Sequence, residues 1–140
     1  MADLPGLLPR ADVLMVCLPG TAATFGLLGQ AELSKLPKGA VLVNVGRGSV
    51  VDEQALYAAL RDGHLGGAAL DVWFNYPMIP GQYMGSSTSP YWPGNLPFHE
   101  LPTVVMSPHR GQSSDTKASD RIQEIVKLLV TRARTGVMPN

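Results

Sequence analysis

Gly39-Ala40-Val41-Leu42-Val43-Asn44-Val45-Gly46-Arg47-Gly48-Ser49 decides how the chain folds. The run from Ala40 to Val45 is short, apolar and rich in β-branched residues, broken only by Asn44 and bounded by Gly39 and Gly46. Such a run predicts a central parallel strand covered on both faces. It ends in Gly46-Arg47-Gly48, where two glycines let the backbone turn tightly while holding an arginine's fork of positive donors at the strand's carboxyl end. The carboxyl ends of strands are where open α/β sheets bind ligands.

Working outward, Asp12 to Leu18 is a second continuous apolar run, stopped by Pro19-Gly20, and predicts the preceding strand. Residues 1–10, with Pro5, Gly6 and Pro9, are too short and broken for an independent element. Gln30 to Leu36 predicts a short helix ended by Pro37-Lys38-Gly39. Downstream, Asp52 stands where an N-cap oxygen meets free helix amides, and Glu53 adds negative charge to the first turn. Leu56, Ala59 and Leu60 recur at helical spacing, and Gly63 closes the segment, so a helix is expected from Glu53 to Asp62. Gly66 to Leu70 predicts a third strand stopped by Asp71, and Thr103 to Met106 a fourth, stopped by Ser107-Pro108-His109.

Residues 74–102 differ in character. They hold Pro77, Pro80, Pro90, Pro93, Pro97 and Pro102, half of the chain's 12 prolines, with the run Ser86 to Ser89 and aromatics such as Tyr76, Tyr83, Tyr91, Trp92 and Phe98. A long functional or inserted loop is expected, with the aromatics favouring partial packing. Beyond it, Ser114-Asp115 offers a cap, and Ile122, Ile125, Val126, Leu129 and Val130 form a one-sided stripe. This predicts a long C-terminal helix from Asp115 to Arg134, with Arg121, Lys127, Arg132 and Arg134 on its wet face.

Strand, helix, strand, helix, strand, loop, strand, helix is the alternation of a parallel α/β sheet with right-handed crossovers. Parallel strands bring their carboxyl ends to one rim. Pro19, Gly46-Arg47, Asp71 and His109 each follow a strand, so arginine, carboxylate and histidine are expected to share an edge where an anionic substrate is held and a proton moved.

Composition limits the alternatives. The 140 residues suit one domain. With 11 basic and 11 acidic side chains and zero formal charge, no attraction to nucleic acid or an anionic membrane is expected, and a small molecule is the favoured partner. The single cysteine, Cys17, reads as a core thiol in a reducing compartment. No apolar run approaches the roughly eighteen residues of a membrane span, and the N-terminus lacks a signal-peptide layout, so a cytoplasmic protein is expected. His64 reads as a solvated turn residue, and His99 as loop packing with no further metal ligands at fitting spacing, so no metal site is expected.

Ala11-Asp12-Val13 through Leu18-Pro19, Asn44-Val45-Gly46-Arg47-Gly48, Asp52-Glu53 with Ala55-Leu56, Ala69-Leu70-Asp71-Val72 and Ser107-Pro108-His109-Arg110-Gly111 together resemble the D-isomer-specific 2-hydroxyacid dehydrogenases. The resemblance implies an oxidoreductase acting on a CH-OH group, with hydride transfer between NAD or NADP and a 2-hydroxy or 2-oxo acid. It implies that Arg47 holds the carboxylate and carbonyl of the acid and that His109 is the general acid and base. It also implies that Pro19, Thr24, Val45, Gly46, Arg47, Asp71, His109 and Gly111 line the cofactor, in a domain whose members commonly form homodimers.

Two departures qualify the resemblance. Tyr76 stands where the family usually has a glutamate before proline. A neutral phenol orients a histidine ring without favouring imidazolium, so the acidic limb of any catalysis is expected to lie lower than in a glutamate-bearing relative; Tyr76→Glu tests this. The second departure is that no Gly-x-Gly-x-x-Gly phosphate turn occurs. Residues 1–140 are therefore expected to be the second half of a Rossmann-like NAD(P)-binding domain, with about four parallel strands and little or no cofactor binding by themselves. The first strand should have an unpaired edge, and self-association or marginal stability should follow. A non-catalytic nucleotide-sensing or protein-interaction module on this fold, or an inactive truncated product, is the alternative.

Overall fold

The computed structural model describes residues 3–75 and 93–111. Four strands, β1 (Val13–Val16), β2 (Val41–Asn44), β3 (Gly67–Leu70) and β4 (Val104–Met106), form one sheet in the order β1-β2-β3-β4, every pair parallel. Each lies within the apolar run that predicted it. Register aligns Val16, Asn44, Leu70 and Met106 in a row across the sheet.

The first two strand connections carry helices, as crossovers between parallel strands usually do. α1 (Leu4–Leu7) and a 3-10 turn at Leu8–Arg10 precede β1; α2 (Gln30–Leu33) joins β1 to β2; α3 (Glu53–Arg61) joins β2 to β3. α3 follows its sequence signals closely. Asp52 Oδ1 accepts from Ala55 N at 2.8 Å, satisfying an amide the helix leaves open, and Gly63 adopts φ +69° just past the C-terminal end. At that far end Arg61 Nε donates to Asp62 Oδ1 at 2.8 Å, which holds the Asp62 carboxyl below its ordinary value; the pair is exposed and adds little stability.

One core unites the helices with alternate strand residues. Leu33, Leu36, Leu56 and Leu60 pack with Val16, Leu42, Ala68 and Leu70, all nearly sealed from water. Crossovers that step always in one direction put their helices on one face. The opposite face is open. Val13 and Met15 are each 61% exposed and Val105 is 68% exposed. β2 is thus central but covered on one face only, since Val41 and Val43 are half-buried and Val45 is exposed. Cys17 shares the parity of Val13 and Met15 and is exposed, not a core thiol. β1 is one edge of the sheet, as expected, and an apolar cleft of about 340 Å3 lined by Leu4, Leu7, Leu14, Met15, Leu18 and Leu27 runs beside it.

Two further expectations change. Residues 4–10, read as too short and broken for an element of their own, form helical turns anchored by fully buried Leu8. His64 is half-buried, not solvated: Nε2 lies 3.0 Å from Leu33 O, and its carbonyl accepts from Gly39 N at 2.7 Å, joining α2, α3 and the entry to β2.

Of the long loop, residues 76–92 lie outside the described residues, as do the expected C-terminal helix and Tyr76. The described ends meet. Phe74 N and Asn75 N both donate to Pro93 O, at 3.1 and 2.9 Å, and Phe98, in a 3-10 turn at Phe98–Glu100, is buried against Phe74 and Tyr57. By contacts the chain divides into Met1–Arg110 and Gly111–Asn140, of which only Gly111 is described in the second.

Candidate active site

The sheet's ladder continues one residue past each strand. Val45 N donates to Val16 O, Asp71 N to Asn44 O and Ser107 N to Leu70 O. Cys17, Val45, Asp71 and Ser107 therefore stand level on the carboxyl rim. Two residues further along lie Pro19, Arg47, Trp73 and His109. Arg47 and His109 leave β2 and β4, two strand spacings or roughly 10 Å apart.

Close backbone contacts tie the four rim segments into one surface. At Gly46 an added Cβ would lie 2.6 Å from Leu18 O, and at Gly48 it would lie 2.0 Å from Trp73 O. Only glycine fits where backbones pass this closely. A Cβ on Gly20 would meet Arg47 Cγ at 3.3 Å, so the chain leaving β1 lies against the arginine's stem. Trp73 Nε1 donates to Ser107 O at 2.8 Å, and Arg110 N donates to Asp71 Oδ1 at 2.8 Å, linking β3's exit to β4's.

These contacts set the functional side chains. Asn44, 1% exposed, accepts from Gly46 N through Oδ1 at 3.1 Å and donates through Nδ2 to Arg47 O at 3.0 Å, fixing the turn that carries Arg47. The exposed Arg47 guanidinium donates through Nη1 to Gly46 O at 2.7 Å, one use among its five donors. His109 is exposed at φ +57°, a left-handed conformation uncommon outside glycine and held by the Asp71 carboxylate on the next amide. Asp71 is 8% exposed. Thr24, also buried, closes the turn after β1 by donating to Pro19 O at 2.6 Å and accepting from Thr21 N at 2.9 Å.

The family model for the NAD binding domain of D-isomer specific 2-hydroxyacid dehydrogenases matches residues 1–111. The chain belongs to that family. Dehydrogenase relatives include glyoxylate/hydroxypyruvate reductase B of Pectobacterium carotovorum, 39% identical over 99% of this chain and 39% of that protein. The Yersinia enterocolitica protein of the same description is 40% identical over 80% of this chain and 30% of its own length. A D-isomer specific 2-hydroxyacid dehydrogenase of Xanthobacter autotrophicus, solved with NADPH and MES, superposes with a TM-score of 0.68 at 34% identity over 99% of this chain and 50% of that one. The NADPH-dependent glyoxylate/hydroxypyruvate reductase of Sinorhizobium meliloti, solved with NADP and malonate, gives 0.66 at 34% identity over 96% and 38%. The chain spans 30–39% of the length of these curated relatives.

Pro19, Gly46, Arg47, Asp71 and His109 follow their strands at one rim, the expected convergence, with Val45 level with Asp71 and Thr24 bonded to Pro19. Gly111 is an exposed turn residue of the second unit. Sequence reasoning passed over Asn44, whose signal was a single polar residue inside an otherwise apolar strand. It also passed over the use made of Trp73 and Glu53. Among the described residues no helix is long and apolar enough to cross a membrane, and no cluster of metal-ligating side chains occurs.

Proposed function

We propose that this chain is the second half of an NAD(P)-binding domain from an oxidoreductase that interconverts a small 2-oxo acid and its 2-hydroxy acid. The observation carrying this reading is the set of rim contacts that gathers Arg47 and His109 from separate strands. Arg47 binds the carboxylate and carbonyl oxygen of the acid by paired, charge-assisted bonds. His109 donates a proton to the carbonyl oxygen on reduction and removes it from the hydroxyl on oxidation. The names of the reductase relatives support a small 2-oxo acid such as glyoxylate.

The rim fits the nicotinamide end of the cofactor. Val45 beside Gly46 offers an exposed apolar surface, with buried Asp71 at the exit of the next strand, and Pro19 with the buried Thr24 bonded to it completes the proposed lining. Bound there, the cofactor supplies the hydride that the carbonyl carbon receives. The glycine-rich phosphate turn is not among the 140 residues, so tight binding needs a further polypeptide segment. Tyr76, at the usual glutamate position, is assigned a ring-orienting role. A reducing, cytoplasmic setting accords with the free thiol of Cys17.

The test is a chimera in which these residues replace the aligned segment of the Pectobacterium reductase. It is expected to reduce glyoxylate with NADPH; a chimera that binds NADPH yet does not turn over would contradict the reading.

Self-association, through the open sheet face and the β1 edge, is part of the same reading, because that face leaves apolar side chains in water and β1 pairs with a strand on one side only among the described residues. Sedimentation should show oligomers that dissociate on dilution and in Met15→Lys. A monomer at all concentrations would refute it.

A further inference from the structure

Glu53 was expected only to place negative charge in the first turn of a helix. In the structure its carboxylate grips a segment 42 residues away. Asn95 N and Leu96 N both donate to Oε1, the latter at 3.1 Å, and Asn95 Nδ2 donates to Oε2 at 2.8 Å. Gly94 passes so near that a Cβ there would lie 2.7 Å from Oε1.

The gripped segment holds a wall of the candidate site. Pro93 O accepts from Phe74 N and Asn75 N, and Asn75 Nδ2 donates to Asn95 Oδ1 at 3.2 Å. Trp73 and Phe74 form the backbone wall against which Gly48 is pressed, with Phe74 N 3.0 Å and Trp73 O 2.0 Å from where a Cβ on Gly48 would sit. The contacts thus run from Glu53 through Asn95 and Pro93 to Phe74, Trp73 and Gly48, the neighbour of Arg47. The same Trp73 bonds Ser107 O, two residues before His109.

We propose that Glu53 is a positioning residue for Arg47 and His109. Without touching substrate, its carboxylate fixes the Trp73–Phe74 wall that sets how the Gly48 turn presents the guanidinium and where Ser107 holds the start of the histidine turn. The chemistry requires a carboxylate, because two acceptor oxygens receive three N–H donors and no donor is present to repel them. Glutamine keeps the size but turns an NH2 toward those donors.

The part of this proposal that concerns a bound acid rests on the 2-oxo acid reading above, and the experiment separates the two. In the full chain, Glu53→Gln and the milder Asn95→Ala are compared with the parent by 15N-resolved NMR, first without ligand and then with oxamate, an unreactive analogue of a 2-oxo acid. In Glu53→Gln the ligand-free resonances of Gly48, Arg47 Nε and the Trp73 indole are expected to move, those of His64 to stay, and oxamate affinity at Arg47 to fall roughly fivefold or more. Asn95→Ala should move the same resonances less, and it serves as the reading if Glu53→Gln does not fold. Changes confined to residues 93–96, with oxamate affinity within about twofold of the parent, would overturn the proposal. If the parent shows no oxamate response at Arg47, the 2-oxo acid reading falls, while the ligand-free shifts still decide whether Glu53 positions the wall.

Discussion

Gly48→Ala is expected to destabilise the chain by about 3 kcal/mol or more. The added methyl would lie 2.0 Å from Trp73 O and 2.4 Å from Trp73 C, and both are backbone atoms that cannot swing aside. Neither side can retreat. On one side Asn44 Nδ2 holds Arg47 O, and Val50 and Val51 are sealed in the core two and three residues later. On the other, Trp73 is tied to Ser107 and is itself 5% exposed. Gly20→Ala is the internal control, because its closest contact is Ser49 Oγ at 3.1 Å, the end of a side chain that can rotate. Urea unfolding followed by far-UV circular dichroism should rank Gly48→Ala far below Gly20→Ala. Equal stability of the two would mean that the turn and the wall are not in contact.

In the chimera with the Pectobacterium reductase, His109→Ala is expected to lower kcat by about two to four orders of magnitude, the contribution of a positioned general acid. Arg47→Lys keeps the positive charge but loses the planar fork, so it should raise KM for glyoxylate by about tenfold or more. The two variants are expected to act on different quantities because, in the proposed reading, one group moves a proton in the transition state and the other binds the ground state as well. An Arg47→Lys chimera with unchanged KM would remove the arginine from the substrate. A His109→Ala chimera with unchanged kcat would assign the proton transfer elsewhere.

The strands were legible because each is a short apolar run closed by proline, glycine or aspartate. Once their alternation with helices implied parallel pairing, the common rim of Arg47, Asp71 and His109 followed from geometry. α3 was legible from Asp52, Gly63 and a stripe that needed no tertiary information. The open face was not: Val13, Leu14, Met15, Val16 and Cys17 are all apolar or nearly so, and a run without alternation does not say which parity faces the core. Cys17 was misplaced for that reason. His64 was misread, and the long reach of Glu53 went unseen, for another reason: their partners Leu33 and Asn95 lie 31 and 42 residues away and no local pattern connects them. Asn44 showed its polarity in the sequence, but its partners at Gly46 and Arg47 became visible only with the turn formed.

The claim that Arg47 and His109 serve one bound acid is tested most directly by titrating the chain with oxamate while following the Arg47 Nε–H and the His109 ring resonances together. Both are expected to shift along a single saturating isotherm that chloride at equal ionic strength does not reproduce. A response at Arg47 alone, or none at either side chain, would contradict the account.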